Sequence, residues 1–113
     1  MYPQPIVIEP TVFAQVPDEL QLLDKESHMS RDIFRCRPLG SFLEGPSFDR
    51  DGNLLVVDIA HGRIFKISEG GEFSVLADYD GSPNGLKIHQ DGRIFVADRQ
   101  NGIVEVDPVN GKV

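Results

Sequence analysis

Short apolar runs separated by glycine-containing turns dominate the chain from residue 44 onward. Alternating or continuous apolar runs of four to six residues are typical of β-strands. Turns such as Asp51-Gly52 fit hairpins, because glycine readily takes the positive φ that such turns require. The pattern predicts an all-β fold with strands over residues 53–58, 63–67, 73–77, 86–89, 93–97 and 103–106, preceded by Ser47-Phe48.

This pattern repeats. Residues 44–58 match residues 84–98 at an offset of 40, which places Asp58 on Asp98, and a one-residue slip places Ile64 on Ile103. A repeat of this length built from short strands is the signature of β-propeller blades. A closed propeller needs at least ~160 residues. We therefore expect residues 44–113 to form blade 1 and most of blade 2, within a larger protein, a truncated product or a subunit that must pair.

Residues 1–43 lie outside the repeat and are interpreted as an N-terminal extension. Proline at the first turn and acids near the start predict a brief helix at residues 17–23. No helix is predicted after residue 25, and Lys25–Arg31 is expected to be a loop. Alternation at residues 33–37 predicts a strand that could close a propeller ring.

Net charge and cysteine content narrow the range of partners. The net charge of −7 argues against nucleic acid. Cys36 is the only cysteine, which excludes an internal disulfide and a cysteine zinc cluster. The sequence shows neither a membrane-spanning run nor a secretion signal, so a cytoplasmic location without membrane partners is expected.

Glu44 and Asn84 are the candidate site residues. Each precedes a glycine at the start of an innermost strand, where side chains reach the propeller channel. Carboxylate and amide oxygens suit calcium, magnesium or manganese, but calcium takes about 6–8 ligands. Two oxygens are too few, so the remaining ligands would come from later blades or water. A purely structural role for both residues stays open.

Other polar residues give weaker signals. The equivalent positions of Asp58 and Asp98 predict a repeated structural role, such as a hydrogen bond at a turn. His61 is expected to be a solvated turn residue, and His28 and His89 have no spaced partners for a metal. Serine-hydrolase and zinc-protease motifs are missing from the sequence.

Two motifs resemble one known family. Residues 42–48, with 52–58 and 62–64, look like its first blade, and residues 82–86, with 91–98, look like its second. The family is the senescence marker protein/gluconolactonase/regucalcin family of six-bladed propellers. The resemblance implies hydrolysis of a sugar lactone with a divalent metal on the propeller axis. Calcium is the first expectation, and zinc, magnesium and manganese are alternatives.

When the family's motifs are matched residue by residue, the resemblance implies that Glu44 is a metal ligand. It also implies that Asn84 contacts the substrate or a metal-bound water. The general base and further ligands would lie in later blades, so this chain alone is expected to be inactive. Some members have an arginine where this chain has Ser82. The substrate class therefore stays open to differently substituted lactones.

The alternative function is a non-catalytic propeller fragment that acts as a binding or scaffolding module, because propellers host many functions. The expected partners are a small-molecule lactone and the missing blades or further copies of the chain. Oxygen donors at both inner-strand starts favour the enzyme.

Overall fold

Two antiparallel sheets make up most of the molecule. The computed structural model describes residues 1–35 and 37–113. In that part of the chain the strand order is β1-β2-β3-β4 in the first sheet and β5-β6-β7 in the second. The strands are β1 Leu43–Phe48, β2 Leu54–Asp58, β3 Arg63–Ile67, β4 Phe73–Asp78, β5 Pro83–Ile88, β6 Ile94–Asp98 and β7 Gly102–Val106. The predicted all-β fold is confirmed.

The N-terminal region contains two short helical turns. The brief helix predicted at residues 17–23 is present as a 3-10 turn, Asp18–Leu20. A π-helical turn, Met29–Ile33, follows, which contradicts the predicted loop and the expectation of no helix after residue 25. Among residues 1–35 and 37–113, no helix has the length and apolarity needed to cross a membrane.

The strand predicted over residues 33–37 is wrong where the structure describes it. Ile33 ends the π-helical turn, and the Phe34 N–H donates to the Met29 carbonyl at 2.9 Å. Ser27 and Ser30 exchange side-chain and backbone hydrogen bonds that favour this local turn over an extended conformation. Cys36, within the same prediction, lies outside the described residues, and a ring-closing role for the segment stays a prediction.

One apolar core joins the two sheets. It contains Leu55, Val57, Ile64 and Ala77 of the first sheet and Leu86, Ile94, Val96 and Val106 of the second. Their burial removes a large apolar area from water, which is the main favourable term in folding. β1 and β5 are neighbouring strands of the two sheets, and the Ser47 hydroxyl donates to the Leu86 carbonyl at 2.9 Å between them.

The outward faces of the two sheets differ. On the first sheet Val56, Phe65 and Ile67 are covered by the N-terminal residues Ala14, Val16 and Leu20. On the second sheet an apolar groove remains open, lined in part by Lys87, Phe95, Ala97 and Ile103. Ile103 is 74% exposed, although the equivalent Ile64 is fully buried between the sheets.

Candidate functional site

Glu44 is the second residue of β1, and its side chain is exposed. It pairs with Val57 of β2, and the register of the two strands shifts between Glu44 and Ser47. Gly45 has a φ of +57° at this irregularity, in the region where residues with a Cβ are disfavoured. Such breaks in a strand re-aim side chains and are common beside functional sites.

Asn84 occupies the matching place in the second sheet. It is the second residue of β5, it is exposed, and the register with β6 shifts between Pro83 and Gly85. A Cβ built on Gly45 would lie 2.6 Å from the Asn84 carbonyl oxygen. The backbone directly after Glu44 therefore lies against the backbone of Asn84, so the two strand starts that bear the predicted site residues are in close contact.

The side chains of Glu44 and Asn84 both carry oxygen donors at exposed positions. Within residues 1–35 and 37–113, neither side chain forms a hydrogen bond or an ion pair. Hard oxygen donors of this kind suit a divalent cation. Among residues 1–35 and 37–113, no group of three or more His, Cys, Asp or Glu could hold a metal ion, and two oxygen donors are fewer than a calcium ion takes.

Asp58 lies at the same end of the molecule, and it is fully buried at the end of β2. Its Oδ2 accepts two hydrogen bonds from the Arg63 guanidinium, at 2.6 and 3.0 Å. Its Oδ1 accepts hydrogen bonds from the N–H groups of Phe42 and Ala60, at 2.8 and 3.2 Å. Asp58 therefore has the structural role that the repeat predicts.

Asp98 makes the equivalent contacts in the second sheet. Its Oδ1 accepts from the N–H groups of Gln100 and Asn101, at 2.8 and 2.9 Å, and its Oδ2 accepts from the Tyr79 hydroxyl at 2.9 Å. Burial acts to raise the pKa of Asp98, but these hydrogen bonds to the carboxylate prevail and lower it. The predicted structural role is confirmed here too.

Tyr79 is the side-chain donor to Asp98 Oδ2. Burial, together with the hydrogen bond to the Asp98 carboxylate and its charge, raises the pKa of Tyr79 well above its usual value. The hydroxyl therefore stays protonated and remains a donor. The cross-strand partner of Asp98 is Gly102, whereas that of Asp58 is Arg63, so the tyrosine supplies a donor that the second sheet would otherwise lack.

Arg63 is not among the candidate residues selected from the sequence. It lies in β3 and is only 3% exposed. Its guanidinium donates to the carbonyls of Leu20 and Gly40 as well as to Asp58, and it lies 4.8 Å from the centre of the Phe65 ring. An aspartate and an arginine flanking a tight turn could have signalled the pair, because such positions face each other across a hairpin.

His61 is not the solvated turn residue that was expected. It is buried, and its Nε2–H donates to the Leu39 carbonyl at 2.6 Å. The N-terminal segment covers it, and in the described structure its Nδ1 has no partner. A polar cavity of about 360 Å³ lies beside it, lined also by Lys25, Glu26 and Asp78.

The remaining histidines and Ser82 have local partners. His28 contacts Asp32 at 2.7 Å and His89 contacts Asp91 at 2.9 Å, both at exposed positions. Ser82 is buried, and its hydroxyl accepts a hydrogen bond from the Gln100 amide at 2.9 Å. Ser82 is therefore engaged within the second sheet.

A second cavity, of about 550 Å³, lies between the sheets at the hairpin-turn end. Its lining includes Asp51, Lys66, Asp91 and Val109. Because Glu44 and Asn84 lie at the opposite ends of their strands, this cavity is separate from the candidate site.

Half of the chain is similar to proteins named lactonase. Over 59 residues it is 44% identical to lactonase drp35 of Staphylococcus aureus strain USA300. Over 62 residues it is 36% identical to lactonase drp35 of Staphylococcus epidermidis strain ATCC 35984. The match covers 50% of this chain and 18% of each relative. No family model matches the sequence. The chain thus spans a small part of the length of these relatives.

Proposed function

We propose that this chain forms the first two blades of a six-bladed β-propeller that hydrolyses a sugar lactone. The reaction would use a divalent cation, for which calcium is the first expectation. The observation that carries the proposal is the contact between the strand starts that bear Glu44 and Asn84, two exposed oxygen donors at matching points of a repeat. Similarity to lactonases over half of the chain supports the reaction class.

The reaction would add water to the ester carbonyl and cleave the ring C–O bond, giving a hydroxy acid. A bound cation would polarise the lactone carbonyl as a Lewis acid. Glu44 would contribute a carboxylate ligand, and Asn84 would orient the substrate or a water through its amide. Glu44 is unsuited to act as the general base, because coordination to a cation would suppress its basicity, so the base would come from outside these residues.

The proposal is tested with the protein isolated from its natural source, assayed for acid release from gluconolactone with a pH indicator. We expect acid release in calcium, loss of release after a chelator, and recovery when calcium is restored. The protein's mass is measured in the same preparation, because a complete ring requires more than two sheets. Failure to release acid from gluconolactone and other sugar lactones in calcium, magnesium, manganese or zinc would overturn the proposal.

A non-catalytic binding module is the second candidate. The open groove of the second sheet, with Phe95 and the exposed Ile103, is the observation that favours it, because exposed apolar patches often mark interaction sites. A protein that binds a partner through this groove but releases no acid from any lactone would support this second function.

A further inference from the structure

Asp58 and Asp98 lie beside the residues that precede Glu44 and Asn84 in the chain. The Phe42 N–H donates to Asp58 Oδ1 at 2.8 Å, and the Ile59 N–H donates to the Phe42 carbonyl at 3.0 Å. In the second sheet the Arg99 N–H donates to the Ser82 carbonyl at 3.0 Å. Asp98 is also the cross-strand partner of Pro83, the residue between Ser82 and Asn84. Asp58 thus contacts the backbone just before β1 through its side chain, and Asp98 lies opposite the first residue of β5.

Phe42 and Ser82 stand two positions before Glu44 and Asn84 respectively. The strand ladder shifts register at or directly after both site residues. Regular strand pairing beyond the shift, in the residues that follow Glu44 and Asn84, therefore cannot fix the positions of these two residues. The backbone that precedes each site residue is held from the near side, where Leu43 pairs with Asp58 and Pro83 pairs with Asp98, and the Asp58 side chain also binds the Phe42 N–H.

The two aspartates are themselves held rigidly, but by different groups. Asp58 is paired with the buried Arg63 guanidinium, which also donates to the Gly40 carbonyl. Asp98 is held by the Tyr79 hydroxyl, which is neutral. Asp58 and Asp98 occupy equivalent positions but have different partners, Arg63 and Tyr79 respectively. This difference favours a requirement for the aspartates themselves over a requirement for one particular ion pair.

We propose that Asp58 and Asp98 are positioning residues, which hold Glu44 and Asn84 respectively in the geometry needed for cation binding and lactone hydrolysis. The catalytic part of this inference rests on the proposed function, whereas the positional part does not. Groups that orient metal ligands typically change affinity or activity 10–100-fold when removed.

The principal variant is Asp98→Ala. Because the Tyr79 hydroxyl is neutral, this truncation leaves no unpaired buried charge, and we expect the protein to fold. Asp58→Asn is the second variant, and it keeps the size of the side chain beside Arg63. Val106→Ala serves as control, because it removes apolar volume from the shared core at a site away from both aspartates. Amide shifts and hydrogen exchange are recorded at residues 42–44 and 82–84, and the calcium concentration for half-maximal lactone hydrolysis is measured.

Position-specific changes are expected. Asp98→Ala should alter the amides of Ser82 and Asn84 and leave Glu44 unchanged, while Asp58→Asn should alter Phe42 and Glu44 and leave Asn84 unchanged. Both aspartate variants should raise the calcium concentration for half-maximal hydrolysis about tenfold or more, and excess calcium should restore the rate. Val106→Ala should change neither the amides of Glu44 and Asn84 nor the calcium concentration required.

Two results would overturn the inference. One is that Glu44 and Asn84 amides are unchanged in their respective variants. The other is that all three variants alter the calcium requirement equally, which would indicate a general loss of stability. If the unmodified protein hydrolyses no lactone, the proposed function fails, and the amide measurements still decide whether the aspartates position these residues.

Discussion

Gly45 of the first sheet lies against the backbone of Asn84 in the second, so closely that a Cβ on Gly45 would be 2.6 Å from the Asn84 carbonyl oxygen. The same Cβ would be 2.8 Å from the Leu86 nitrogen. Because both neighbours are backbone atoms, they cannot rotate away as a side chain would. The contact between the inner strands thus depends on a residue without a side chain.

Gly45→Ala is therefore expected to lower the free energy of unfolding by about 2–4 kcal/mol, the sum of the left-handed backbone cost and overpacking. Gly92→Ala is the matched control, since Gly92 also has a positive φ, +95°, but has no atom within 4 Å of a built Cβ. Urea unfolding of both variants separates the two contributions. Equal losses would show that the close approach to Asn84 carries no cost.

Ile64 and Ile103 are equivalent in the repeat but lie in opposite environments, one fully buried between the sheets and the other 74% exposed. Ile64→Ala is expected to cost about 2–5 kcal/mol of stability, because it leaves a cavity in the core. Ile103→Ala should cost less than about 1 kcal/mol in the same chain. A large loss at Ile103, measured by thermal unfolding at low concentration, would mean that its face is covered in solution.

The buried pair of Arg63 and Asp58 should be sensitive to the loss of one partner. Arg63→Met is expected to cost about 3–5 kcal/mol, because it leaves the Asp58 carboxylate uncompensated. Adding Asp58→Asn to Arg63→Met should recover part of that loss. Arg93→Met removes an exposed arginine that contacts Asp91 and should barely move the urea midpoint. Equal effects of Arg63→Met and Arg93→Met would contradict the burial of the first pair.

The raised pKa of Tyr79 makes the free energy of unfolding depend on pH in alkaline solution. Its pKa is raised in the folded protein, first by burial and then by Asp98, so the folded state holds the hydroxyl proton more tightly than the unfolded chain. The stability from this group is complete below the unfolded pKa of about 10 and is lost as the pH rises through the folded value. Above pH ~10, the unfolding free energy should fall more steeply in the unmodified protein than in Tyr79→Phe. Parallel curves would contradict the prediction.

Much of the β structure could be predicted from the sequence, because its signals are local. Glycine turns such as Asp51-Gly52 bound the strands, and period-two patterning locates most of them to within one residue. The exceptions are β1 and β5, which begin four and three residues before the predicted starts Ser47 and Leu86. The repeat also places Glu44 and Asn84 at matching positions, and the contact between their strands comes from the packing of β1 on β5.

Two physical causes underlie the failures. One is contact with the N-terminal extension: His61 has the sequence context of a solvated turn residue, yet it is buried and donates to the Leu39 carbonyl. Arg63, which was not selected, is likewise buried and donates to the Leu20 carbonyl. The segment around Ile33 has a strand-like pattern but forms a π-helical turn, supported by serine hydrogen bonds. Long-range coverage and hydrogen bonds between side chain and backbone do not leave a periodic signal in the sequence.

The most direct measurement is the rate of calcium-dependent lactone hydrolysis by the natural protein carrying Glu44→Gln, compared with Glu72→Gln. Glu72 is an exposed glutamate in the turn before β4, so its variant makes the same chemical change away from the site. The account predicts a loss of at least about 100-fold for Glu44→Gln, the lower end of the range for a lost electrostatic contribution to catalysis, and an unchanged rate for Glu72→Gln. A full rate for Glu44→Gln at limiting calcium would contradict the assignment of Glu44 to the site.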